Sequence, residues 1–210
     1  MNSMSRAALL ICILAACVAG GQTSAPASAP QANASPASAP QPAISAEQLA
    51  ALVKQQFGTT FTMPASFPTP AIVADFDGDG IDDIAIVAKS KEPFPDSYEL
   101  KYRVLDPYNS YFGMSDPQLS SAFSANDPRR DHQLLVIFGI GAESWRAATP
   151  KAKFVLINVP FDNIIIGRML IKKKKPPIWV IKTQEKQIME SAVYWDGKRW
   201  KWEPGSMLDQ

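Results

Sequence analysis

Residues 74–87 read Ala-Asp-Phe-Asp-Gly-Asp-Gly-Ile-Asp-Asp-Ile-Ala-Ile-Val, and the architecture of the chain turns on this stretch. Counting from Asp75, carboxylates stand at positions one, three, five and nine: Asp75, Asp77, Asp79 and Asp83. Gly80 falls at six, where calcium loops turn sharply, and the carbonyl of Ile81 falls at seven. Calcium is held by several oxygen ligands at roughly 2.3–2.6 Å, which this spacing can supply. Charge argues the same way: five carboxylates lie within nine residues with no Lys or Arg among them, so they repel one another unless a cation intervenes. Asp82, at eight, is expected to point outward. The competing reading is an acidic, Gly-rich turn without metal, but a plain turn needs Gly or Asp at only one or two places. An EF-hand is excluded, because its twelfth position needs a bidentate Glu and Ile86 stands there. Immediately after the loop, Ile84-Ala85-Ile86-Val87 is a buried-strand pattern and not an amphipathic helix. The loop therefore joins two strands.

On either side of the loop, Ala71–Ala74 and residues 84–88 are those two strands. Further strand patterns lie at 134–140, 153–159, 178–182, 192–195 and 200–203. Asp196-Gly197 predicts a hairpin turn between Val193-Tyr194-Trp195 and Trp200-Lys201-Trp202. Residues 163–171 (NIIIGRMLI) fit helix or strand equally, since a short apolar run does not separate them. Upstream, Ser45 with Gln48 makes a capping box, and Ile44 with Leu49 is placed for a hydrophobic staple. Leu49, Leu52, Val53 and Phe57 recur at helical spacing and Gly58 supplies the stop, so a helix is expected over Ala46–Phe57, lying on a sheet. Residues 59–61 are β-prone, and Pro64, Pro68 and Pro70 keep the next stretch extended and irregular. The fold class is mainly β (α+β), a mostly antiparallel sheet or blade-like β domain with one N-terminal helix.

Residues 74–87 resemble the calcium motif of FG-GAP repeats, found in integrin-type β-propellers and in bacterial VCBS-like proteins. The resemblance covers about fourteen residues. It implies a loop between two strands of a blade-like β domain, with calcium on Asp75, Asp77, Asp79 and Asp83. Propellers repeat such a loop blade by blade, typically four to eight times. A second D-x-D-x-D-G does not occur in this sequence. A full propeller is therefore not expected.

The first 43 residues read as address and tether. Arg6 is the sole charge in the first sixteen, and residues 7–16 form an apolar run too short to span a bilayer, which takes about 20 residues. That is the pattern of a signal peptide over 1–16. Leu14-Ala15-Ala16-Cys17 resembles the lipobox of bacterial lipoproteins, implying lipidation of Cys17 and a membrane-anchored protein of the cell envelope. The alternative is an ordinary signal peptide cut near Gly20 or Gly21. Residues 17–43 are the lipidated cysteine and a tether of Ala, Ser, Pro and Gln with nothing to bury. Residues 44–210 are then one β-rich domain. With Cys12 and Cys17 outside it, that domain has no thiol for a disulfide, a nucleophile or a metal site. Without Arg6 its 20 positive and 20 negative side chains balance, which gives no reason to expect nucleic acid as a partner.

Residues 89–132 read as an insertion carrying Tyr98, Tyr102, Tyr108 and Tyr111, with a strand near 100–104 and its aromatics packed on the sheet. Gly139, Gly141 and Ser144 suggest a dinucleotide loop, but an ordinary strand-end turn fits better. His132, the single histidine, reads as a solvated surface residue, and a zinc or Cys–His site has no material. Lys172 to Lys175 read as a charged turn, with anionic head groups as the functional version. Trp200 and Trp202 share a face that is expected to close the core. No catalytic constellation emerges, so the expectation is a non-enzymatic calcium-binding envelope protein with a protein or polysaccharide partner. The alternative is a carbohydrate-binding or hydrolase-accessory domain using the tyrosines or the tryptophan hairpin.

Overall fold

The apolar run after the acidic loop becomes the central strand of the molecule because it must be covered on both faces. In a computed structural model, residues 44–90, 101–114, 132–171, 175–186 and 189–205 are described. The signal segment, Cys17 and the tether lie outside the described residues, as do Tyr98 and Lys172 to Lys174. Helix α1 (Ala46–Phe57) is followed by β1 (Phe61–Thr62), β2 (Ala71–Ala74), β3 (Asp83–Ser90) and β4 (Arg103–Leu105). Next come the short helix α2 (Pro107–Tyr111), β5 (His132–Phe138) and β6 (Ala152–Leu156). A run of four strands closes the chain: β7 (Asn163–Met169), β8 (Ile178–Glu185), β9 (Met189–Trp195) and β10 (Trp200–Pro204).

Among the described residues these strands form two sheets, and the fold is mainly β with one substantial helix, not a closed propeller. The first sheet curls into a half-barrel with the order β1-β3-β5-β6-β4, and β2 also pairs with β3. β1 and β2 share one edge of β3: Phe61 pairs with Ser90, and Ala74 pairs with Asp83 further along. The prolines at 64, 68 and 70 break that edge between the two short strands, where a missing N–H is tolerated. The second sheet is a meander, β10-β9-β8-β7. The ambiguous segment at 163–171 is strand β7, paired along its length with β8.

Alternation along β3 explains the layering. Ile84, Ile86 and Ala88 face α1, beside Leu49, Leu52, Val53 and Phe57. Ala85 and Val87 face the other way, into a cluster with Ile164, Ile181, Val193, Trp200 and Trp202 of the second sheet. A strand covered on both faces reads as a continuous apolar run and not as an alternating one. The first sheet is thus the middle layer between the helix and the second sheet.

Helix α1 has the bounds its sequence predicts. Gln48 N–H donates to Ser45 Oγ at 3.1 Å and Ser45 N–H to Gln48 Oε1 at 2.9 Å, while Gly58 N–H closes the other end on the Lys54 carbonyl. Lys153 Nζ donates to the Gln56 carbonyl at 2.6 Å, placing a cation at the helix C-terminus. The insertion contributes β4, which pairs parallel with β6. It is the one parallel pair among the described strands of a mostly antiparallel fold, and it comes from the chain crossing from β3 to the far edge before it returns. Asp106 caps α2 and accepts from Asn109 and, at 2.6 Å, from Asn158 Nδ2. β5 runs two residues earlier than the pattern at 134–140, because Gly139 leaves the ladder for a different acceptor.

Candidate metal centre

Asp75–Asp83 leaves β2 and enters β3 as a tight turn. Gly78 and Gly80 have φ of 79° and 86°, a region that residues with a Cβ rarely adopt. Asp75 organises the turn: its Oδ1 accepts from Gly78 N–H at 2.7 Å and Asp79 N–H at 3.0 Å, and its Oδ2 from Gly80 N–H at 2.9 Å. Asp77 Oδ1 accepts from Asp79 N–H, and Asp79 Oδ1 from Ile81 N–H at 2.9 Å. Each aspartate thus turns the backbone after it, while its second oxygen or lone pair remains for other partners.

Asp83 differs from the rest because it opens β3 and is only 1% exposed. Its Oδ2 accepts from Phe76 N–H at 2.8 Å and Asp77 N–H at 3.3 Å. Its Oδ1 accepts from Gly139 N–H at 2.8 Å, across the sheet at the end of β5. Desolvation by burial pushes the Asp83 carboxyl up to about 7; the Gly139 N–H opposes the shift and the charge of Asp77 adds to it. Gly139 belongs there for a steric reason: a Cβ on it would lie 2.3 Å from the Asp82 carbonyl oxygen.

Ligand atoms of Asp75, Asp77 and Asp83 all lie within 4.8 Å of one another, so these three carboxylates could together hold a metal ion. The donor set is wholly oxygen, which suits a hard cation and offers nothing to a soft one. Asp79 is turned elsewhere. Lys151 Nζ, just before β6, lies 2.6 Å from Asp79 Oδ2 and 2.7 Å from Asp77 Oδ2. Hydrogen bonds to Asp77 and then Asp79 hold the Lys151 amine above its ordinary range. Burial opposes ionisation of Asp79, but the Lys151 bond and the Ile81 N–H together keep its carboxyl below its ordinary value. Ile81 joins the turn through its N–H.

Sequence reasoning did not single out Lys151 or the role of Gly139. Lys151 is more than seventy residues from the aspartates it touches. No local pattern marks it; only the pairing β3–β5–β6 brings it to the loop. Gly139 stood in the glycine pattern at 139–144, which is a strand-end turn with a 3-10 segment at Gly141–Glu143.

The other candidates resolve by burial. His132 is a correction: it opens β5 and is half-buried, its ring 5.3 Å from that of Phe67 and 6.2 Å from that of Phe161, because strand pairing draws it inward. Trp200 and Trp202 are buried, with Trp200 5.8 Å from Phe138 ring to ring, so that face closes the core and is no open platform. Tyr102 is buried against Phe57 and Phe61, whereas Tyr111 is 49% exposed. Between α2 and β10 runs a cleft of 370 Å³ lined by Arg103, Ser110, Tyr111, Lys201, Trp202 and Glu203, among others. Lys175 is exposed.

Comparison with protein-family models, with curated proteins and with solved structures finds no match to this chain.

Proposed function

We propose that this chain is an exported, lipid-anchored calcium-binding protein of the cell envelope, in which calcium holds the Asp75–Asp83 turn rigid for a binding or structural role. The observation that carries the reading is the convergence of Asp75, Asp77 and Asp83, with one of the three buried. A buried carboxylate is costly unless a proton or a cation accompanies it. Calcium is the proposed ion because carboxylates and carbonyls on an irregular turn suit its flexible shell, whereas magnesium demands a near-ideal octahedron and dehydrates reluctantly. The FG-GAP-like spacing of the motif supports the same choice. Export and lipidation at Cys17 rest on the apolar run ending in Leu14-Ala15-Ala16-Cys17.

Calcium binding only the folded state would stabilise it by about 2.7 kcal/mol at a hundredfold excess over the dissociation constant. The expected outcome is a higher melting temperature in calcium than in chelator, with magnesium a weaker substitute. Asp77→Ala, which removes one of the three converging carboxylates, should abolish the gain. Identical melting curves of the wild type in calcium and in chelator would sink the reading.

A further inference from the structure

The acidic turn already has a cation on it, and that cation comes from this chain. Lys151 Nζ bridges Asp77 and Asp79 at 2.7 and 2.6 Å. Its two attachments differ in kind. Its backbone is fixed, because Lys151 N–H donates to the Phe138 carbonyl at 3.0 Å and the next residue, Ala152, pairs with Phe138 in the sheet. Its side chain is 44% exposed, so the ammonium can leave the carboxylates for water without disturbing packing. Asp77 is the shared member: it belongs to the group that converges with Asp75 and Asp83, and it is also held by Lys151. The Asp77 carboxylate cannot serve the ammonium and a divalent ion at full strength, since the two cations would repel each other a few ångströms apart.

We propose that Lys151 is a tethered counter-ion that competes with the divalent cation for Asp77, so that metal binding displaces its ammonium from that carboxylate toward solvent. This rests on the calcium reading above and concerns how that site is regulated. The exchange gives the turn two charge-balanced states. With the lysine in place, the loop is neutralised in part and stays folded. With the metal in place, the lysine is free of Asp77. Metal affinity is then reduced by the fraction of molecules in which the lysine holds the carboxylates. The site would respond to high calcium and stay vacant at low calcium, whereas the bare carboxylate set would fill earlier.

The test uses the full chain and calcium chloride alone. Lys151→Gln removes the charge and keeps a polar, slightly shorter side chain. If the lysine-held state predominates tenfold, calcium measured by calorimetry should bind the variant about tenfold more tightly than the wild type. The variant in chelator should melt below the wild type, and its gain in melting temperature on adding calcium should be the larger. A second measurement needs no variant. An amine-acylating reagent, read by mass spectrometry at Lys151, should label the wild type more strongly as calcium is added. Calcium binding of equal affinity in both proteins, with Lys151 labelling indifferent to calcium, would overturn the competition and leave the calcium site standing. Absence of calcium binding in both proteins would overturn the site itself and the competition with it.

Discussion

Asp83 places a carboxylate under the sheet, and its ionisation sets how stability varies with pH. Its folded-state value is raised to about 7 by burial, whereas an unfolded aspartate titrates near pH 4, roughly its model-peptide value. Between those values the folded protein holds the proton and the unfolded chain does not. Stability contributed by the protonated form is therefore complete below about pH 4 and is lost as pH rises through 7. In chelator, the melting temperature should fall across that interval. In calcium the fall should be absent, because the metal favours the ionised carboxylate. Asp83→Asn should show neither the fall nor the rescue. Melting curves collected across pH decide the matter, and a flat profile in chelator would count against a strained Asp83. The aspartate was legible in the motif; its burial was not, because position nine of the loop is also the first residue of β3.

Among the elements, legibility depended on how local the cause was. Helix α1 could be read to its terminal residue, since the capping box and Gly58 sit within the segment. The Asp196-Gly197 hairpin could be read for the same reason: Asp196 Oδ1 accepts from Lys198 and Arg199 N–H, which closes the turn. β7 was ambiguous because Ile164, Ile165 and Ile166 suit either periodicity, and its pairing with β8 decides the matter. The parallel seating of β4 and the arrival of Lys151 depend on which strands become neighbours, and no residue nearby announces that. The end of β5 shows how one element depends on another. Gly139 ends the strand against the Asp82 carbonyl and donates to Asp83, so an added methyl would push the two strand ends apart. Gly139→Ala should destabilise the protein by about 1–3 kcal/mol, as overpacking does. Denaturant unfolding of the variant checks this; an unchanged midpoint would mean that the strand end gives way freely.

For the whole molecule, the two sheets differ in how far along the chain their partners lie. β7 to β10 meet as successive hairpins, while β3 must find β5 across the insertion, and the bond from Gly139 to Asp83 spans 56 residues. Local pairings form early and distant ones late, because loop closure costs entropy before the contacts reward it. That contrast bears on the timing of folding. The Asp75–Asp83 turn is itself local, but Asp83 is fully held only once Gly139 at the end of β5 reaches it, so the metal centre is expected to be completed after the transition state. Stabilisation that arises so late slows unfolding and leaves the folding rate nearly unchanged. In stopped-flow experiments, calcium should therefore lower the unfolding rate by most of its equilibrium effect. A calcium-accelerated folding phase would place the turn in the nucleus instead. On this account calcium does not guide the chain to its fold; it acts as a latch, fastened last, that sets how long the folded protein lasts.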